Sequence, residues 1–282
     1  MVGTLLKRPQ TLDEALKALA EDEGAKLLAG GASLVAMMNA GLAAPTVVVS
    51  LRDIHELRGI STLPDGGIRI GAMTRHRDSA TQTSLCGTLA VVRAAASAIA
   101  NPPVRNMGTM GGSISLADPG ADYPAALVAA GARVEIASIN GTRVLPANEF
   151  FTDWYATALK PGEAVVAIKL PPSRPGVGVY QKLARVAGDF ATVSVALTAT
   201  DHGDVSIAVG GCGPFPVASD SVNRELRGKP GDKAVVKCAG ETLAALSDPV
   251  DDVRASSDYR RLVIPRMVMQ VAEMALDLER RR

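Results

Sequence analysis

The sequence predicts an α+β protein of two domains. Residues up to about 175 interleave amphipathic helical stretches with short β-branched strands. After a proline- and glycine-rich boundary the pattern changes to a run of strands followed by helices, an α+β layout in its own right. The chain has 282 residues, 47% hydrophobic and 21% charged, enough for two domains with a sizeable core.

In chain order, Thr11-Leu-Asp-Glu14 is a capping-box pattern ahead of Ala15, Leu16 and Leu19 at helical spacing. Lys26–Ala29 reads as a buried strand running into Gly30-Gly31, and residues 33–38 as a helical turn whose free N–H groups point back at whatever the glycines admit. Thr46–Leu51 and Gly67–Gly71 are strands, the second preceded by an Asp65-Gly66 turn. Thr88–Ala100 forms a helix with Leu89, Val92, Ala96 and Ile99 on one stripe, stopped by Pro102-Pro103.

The segment from Asn106 to Asp122 carries Gly108, Gly111 and Gly112, two hydroxyls (Thr109, Ser113) and two carboxylates (Asp118, Asp122). Glycine removes the Cβ where backbone turns sharply or approaches a ligand. The Gly30-Gly31 pair with Ser33 behind it is a smaller analogue. Two such bends facing each other would wrap a pyrophosphate with main-chain N–H groups in place of lysines. Beyond them come a helix from Pro124 to Ala130, strands at 132–137 and 142–145 about an Asn140-Gly141 turn, and a strand at 164–170. The stretch 171–178, with three prolines and two glycines, is the domain boundary. Strands then fit 179–183, 191–200 and 205–209, and helices 219–226, 234–245 and 258–280, the last with Leu262, Met267, Val271, Met274 and Leu278 as its core-facing stripe.

Composition excludes several function classes. Net charge is +1 with mixed signs, and only 3% of residues are aromatic, so neither the basic patch nor the stacking platform of a nucleic-acid binder is present. Cys86, Cys212 and Cys238 are isolated, without metal-ligand or iron–sulfur spacing, and the three histidines are scattered. The first residues lack the apolar run of a signal peptide and no membrane-length apolar run occurs, so a cytoplasmic location is the expectation. G-x-S-x-G, H-E-x-x-H, Walker A and G-x-G-x-x-G are all missing. What remains is a binding architecture suited to a dinucleotide cofactor that carries its own reactivity. Asp118 and Asp122 also fit as caps for the helix near Pro124, and Lys182, Arg185 and Asp189 are spaced like surface ion pairs.

The stretches 26–34, 104–113 and 117–122 resemble the FAD-binding medium subunits of molybdenum hydroxylases, and so do 180–193, 211–217 and 256–261, in the same order along nearly the whole chain. The resemblance implies a vanillyl-alcohol-oxidase (PCMH)-type FAD-binding domain of two α+β subdomains over residues 1–175 and an α+β flavoprotein C-terminal domain over 176–282. It implies that Leu27, Leu28, Ala29, Gly30, Gly31, Ala32, Ser33 and Leu34, with Thr109, Met110, Gly111, Gly112 and Ser113, cradle the FAD pyrophosphate through backbone amides, Ser33 and Thr109 adding hydroxyls. Asp122 would accept from a sugar or ribityl hydroxyl, Lys182 would sit near the flavin ring, and Ile99 and Val165 would be apolar neighbours. Ala32, Ser113 and Val186 stand where Gln or His, Asn and Arg are frequent; the first two remove side-chain hydrogen bonds while leaving the backbone cradle.

The role implied is electron transfer without a nucleophile or general base of the chain's own. The expected partners are a small subunit with two [2Fe–2S] clusters and a large molybdopterin subunit, as a dimer of heterotrimers. A self-contained flavin oxidoreductase and a non-catalytic nucleotide-binding protein are the alternatives.

Overall fold

The computed structural model describes residues 3–229 and 231–281 and contains three structural units. The first holds β1 (Leu5–Lys7), α1 (Leu12–Ala20), β2 (Lys26–Leu28), α2 (Leu34–Asn39) and β3 (Val47–Ser50). Its strands form a small parallel sheet in the order β1-β3-β2. The Thr11 capping box is formed as expected: Thr11 accepts from the Glu14 N–H, and the Glu14 carboxylate accepts from the Thr11 N–H. Ala15 and Leu16 of α1 then pack with Val47, Val49 and Leu51 into a local core.

The second unit comprises β4 (Ile60–Thr62), β5 (Ile68–Gly71), α3 (His76–Thr81), α4 (Ala90–Ala98), α5 (Pro102–Met107), α6 (Met110–Leu116), α7 (Tyr123–Ala129), β6 (Arg133–Ser138), β7 (Gly141–Pro146), α8 (Ala147–Phe150), β8 (Phe151–Asp153), β9 (Ala156–Thr157) and β10 (Ala164–Leu170). Its five-stranded antiparallel sheet runs β4-β5-β10-β6-β7. Pro102-Pro103 differ from expectation: α4 ends at Ala98, and the two prolines open α5 behind the Asn101 N-cap. Proline fits there because the first N–H groups of a helix have no intrahelical partner.

The third unit is an antiparallel sheet, β11 (Gly176–Leu183), β12 (Val193–Thr200), β13 (Val205–Gly210) and β14 (Val217–Ala218), backed by α9 (Asp220–Leu226), α10 (Lys233–Leu246) and α11 (Ser257–Arg280). Alternation along β11 sends Val177 and Val179 toward α10 and α11, and Tyr180 toward α4 and α7. Both faces of this sheet are therefore covered, one by each half of the chain. The stripe on α11 lies elsewhere than the sequence suggests. Val263, Ile264, Met267, Val268, Val271, Ala272 and Ala275 are buried, whereas Leu262 and Leu278 are exposed. The five-residue step from Leu262 to Met267 turns about 140° around the axis at 3.6 residues per turn, so the two cannot share a face.

Candidate functional site

The two glycine bends meet. β2 runs parallel beside β3 and delivers Ala29-Gly30-Gly31 to the sheet edge, where Gly31 takes φ +81°, a left-handed value that favours glycine. Gly30 has an ordinary φ and is glycine for a different reason. A Cβ there would lie 2.8 Å from the Met107 carbonyl carbon and 2.9 Å from the Gly108 Cα, with the Met107 oxygen closer still. On Gly112 a Cβ would stand 3.3 Å from the Ala29 Cβ. Backbone therefore rests directly on backbone, and only hydrogen fits between.

The bends contribute differently. Among the described residues the N–H groups of Gly30, Gly31, Ala32, Ser33 and Leu34 make no hydrogen bond. Ser33 starts α2 with its side chain making no cap bond. In the second bend most donors are already engaged. Met110 N–H donates to Thr74 O (3.0 Å), Gly111 N–H to Ala72 O (2.8 Å) and Ser113 N–H to Thr109 O (3.0 Å). Gly112 N–H donates to Thr109 Oγ1 at 3.2 Å, which leaves the Thr109 hydroxyl proton and its own N–H uncommitted. The Gly-Gly pair after Thr109 is thus the first turn of α6 and not a loop, and Gly111 is required by Ala72, whose Cβ would lie 2.5 Å from a Cβ added there. Five consecutive N–H donors without a protein partner at a half-exposed bend are available to an anion.

From this cradle a continuous set of contacts leads toward the third unit. Arg105, at the end of α5, donates to Ile99 O (2.7 Å) and Ala100 O (2.8 Å), holding Ala100 at φ +41°. Ile99 is half-buried and Val165, on β10, is buried in the same core. A Cβ on Gly188 would come within 2.7 Å of the Ala100 oxygen, so the β11–β12 loop closes over this point. Lys182 on β11 donates to Asp189 O at 2.8 Å and pairs with Asp122 Oδ1 at 3.0 Å. Tyr180 donates to the same carboxylate at 2.8 Å.

Asp122 occupies the N-cap position of α7, but its side chain turns away from the helix toward Tyr180 and Lys182. Asp118 accepts from the Gly120 N–H and from the Tyr155 hydroxyl. Lys182 is not part of a surface pair, because its side chain and that of Asp122 are 10% and 5% exposed. Burial drives the Asp122 carboxyl above the usual carboxylate range, against the pull of the Lys182 ammonium and the Tyr180 hydroxyl. Burial and the Asp122 charge raise Tyr180 well above an ordinary phenol.

Sequence reading passed over Tyr180, Arg105 and His76. A signal for Tyr180 existed: it precedes Lys182 by two residues, so on a strand both share one face. His76, which opens α3, is held down to about 4 by burial and by the Arg105 charge, so it is neutral at pH 7. A separate polar hollow is lined by Asp118, Gly120, Tyr155, Asp252, Arg254 and Arg260, none of them from the glycine bends.

Known proteins are similar to this chain along nearly its whole length. Residues 3–173 match the family described as the FAD binding domain in molybdopterin dehydrogenase, and 178–275 match the CO dehydrogenase flavoprotein C-terminal domain. The chain is 34% identical to the carbon monoxide dehydrogenase medium chain of Hydrogenophaga pseudoflava over 95% of both. It is 30% identical to the xanthine dehydrogenase FAD-binding subunit of Escherichia coli O157:H7, over 95% of this chain and 94% of that one. Among solved structures, a carbon monoxide dehydrogenase from Hydrogenophaga pseudoflava superposes with a TM-score of 0.92 at 34% identity, covering 97% of each chain. Quinoline 2-oxidoreductase from Pseudomonas putida 86 superposes with a TM-score of 0.89 at 30% identity, covering 97% and 96%.

Proposed function

Since this chain belongs to the family of FAD-binding medium subunits of molybdenum hydroxylases, we propose that it receives electrons from the [2Fe–2S] clusters of a partner subunit and passes them through FAD to an external acceptor. The observation that carries the reading is the meeting of the Gly30 and Gly108 bends with five open N–H donors on one side. The residues fit the cofactor. A pyrophosphate dianion matches the open donors of Gly30 to Leu34, with the Ser33 and Thr109 hydroxyls and the Thr109 N–H beside them. Bound there, FAD would supply the change between one-electron and two-electron transfer.

The chain's own residues do the rest. Gly30 to Leu34 hold the diphosphate through hydrogen bonds to charged oxygens, the stronger class. Met110, Gly111, Gly112 and Ser113 shape the floor, since their amides are committed to the protein. Ile99 and Val165 supply apolar wall. Lys182, held by Asp122 and the Asp189 carbonyl, would be the cation nearest the ring and would favour its anionic reduced form.

Subunits of enzymes named for carbon monoxide, glyceraldehyde and xanthine are each 30–34% identical to this one chain, which supports a substrate pocket in another subunit. The assembly we propose is two copies of a heterotrimer with a small [2Fe–2S] subunit and a large molybdopterin subunit, in the cytoplasm. No helix among the described residues is long and apolar enough to cross a membrane. We place the domain boundary at residues 175–176, where β11 begins.

The test is purification of the tagged chain from its native host. Flavin absorbance with two co-purifying subunits is expected. A colourless preparation that takes up no added FAD would refute the reading, and isolated-chain turnover of an organic substrate would favour a self-contained oxidoreductase.

A further inference from the structure

Two buried side chains lie between the glycine bend and the Asp122–Lys182 pair. His76 N–H donates to Gly108 O at 3.1 Å, and a Cβ on Gly108 would come within 2.5 Å of His76 Nε2, so the imidazole lies flush against the bend. On its other side His76 Nδ1 is 3.2 Å from the hydroxyl of Tyr123, which is wholly buried and adjoins Asp122 in the chain. Gly108 has no side chain for a core to grip, and α5 before it has no buried residue. The bend is therefore positioned by main-chain bonds to the 74–76 segment, and at Gly108 by what presses on its backbone: Gly30 from one side and the His76 imidazole from the other.

We propose that His76 and Tyr123 form an internal strut that fixes the Gly108–Thr109 bend relative to Asp122, making His76 a positioning residue for the cofactor. It touches neither the open donors of Gly30 to Leu34 nor Lys182, and acts through the backbone of Gly108 at one end and the first residue of α7 at the other. The geometry requires a hydrogen-bonding group at the position of Nδ1. An apolar side chain of similar size would take away the Nδ1 partner of the buried Tyr123 hydroxyl and leave it only the Ser79 hydroxyl beside it. Asparagine places an amide at nearly the position of Nδ1 and would keep that partner.

The inference rests on the flavin reading, and one titration separates the two. FAD binding to the full-length apo-chain is followed by flavin fluorescence for the wild type, His76→Asn, His76→Leu, Tyr123→Phe and the His76→Leu/Tyr123→Phe double variant, with thermal unfolding recorded in parallel. Tyr123→Phe and His76→Leu are each expected to weaken FAD binding, by up to about tenfold if the displacement of the bend costs the cradle as much as one hydrogen bond to the cofactor. The double variant should be no weaker than His76→Leu alone, because both changes remove the same interaction. His76→Asn should recover most of the affinity. If wild type binds FAD and the variants lose melting temperature but not affinity, the strut is overturned and the flavin reading stands. Equal weakening by His76→Asn and His76→Leu also overturns it. A wild-type chain that does not bind FAD overturns both. Should His76→Leu fail to fold, Tyr123→Phe against wild type reads the same hydrogen bond.

Discussion

Replacing Gly30 by alanine tests the meeting of the two bends without touching any polar group. The added Cβ would stand 2.8 Å from the Met107 carbonyl carbon, where ordinary contact begins at 3.4 Å, so the bends must part by at least 0.6 Å (3.4 − 2.8). The Met107 oxygen demands more than twice that. Both neighbours are backbone, so no rotamer change relieves the clash. An opening of about an ångström takes a 2.9 Å hydrogen bond beyond useful length. If two of the donors from Gly30 to Leu34 lose their diphosphate oxygens, at roughly 1.5 kcal/mol each for a charged acceptor, FAD affinity falls about a hundredfold. Overpacking should also cost about 1–3 kcal/mol of stability. Gly41→Ala is the control: Gly41 has φ +70° with nothing within 4 Å of its Cβ position, so it carries backbone strain alone. The assay is FAD titration together with urea unfolding. Gly30→Ala with wild-type FAD affinity would refute the convergence argument, whatever its stability.

Other predictions follow from the same geometry. His76 is depressed from 6.5 to about 4 in the folded chain, so the unfolded state binds the extra proton between these values. Stability from this group is complete above pH 6.5 and falls as pH drops toward 4; about 2.5 units at 1.36 kcal/mol each bounds the loss near 3 kcal/mol. Urea unfolding should show this slope in wild type and less of it in His76→Asn. Lys182→Met leaves the Asp122 carboxylate buried with Tyr180 only, which should cost about 3–5 kcal/mol at pH 7 and less at pH 5, as Asp122 takes up a proton. Arg260, 4% exposed, donates to Thr192 O, Gly211 O and Asp252. Arg260→Met should destabilise by about 3–5 kcal/mol and expose sites in α11 to limited proteolysis.

How far the sequence could be read depended on the range of the interaction involved. The α1 capping box, β10, β12 and the extents of the C-terminal helices were legible because their signals are local, a cap or a β-branched or helix-favouring run, whereas the buried face of α11 was not. So was the pairing of Gly30 with the Gly108 segment, since both depart from side-chain-bearing residues where something must approach. Short elements such as β1, β4 and β8 offered too few residues for a period to show. The division of labour between the bends was hidden. Whether the Gly111 N–H faces a ligand or Ala72 depends on β5 lying against α6, a long-range fact. Lys182 looked like a surface cation because spacing along β11 says nothing about α7, which brings Asp122 to it from sixty residues away.

The sheet β11–β14 has no wet side. Tyr180, Ala196 and Ala208 belong to the core of the FAD-binding half, while Val195, Leu197 and Val209 belong to the core beneath α10 and α11. Swinging the halves apart would hydrate Tyr180 and break its bond to Asp122, so a clamshell motion is a poor route for exchanging a bound dinucleotide. On the proposed reading, a dinucleotide would load at the rim, where residues 30–34 carry open amides.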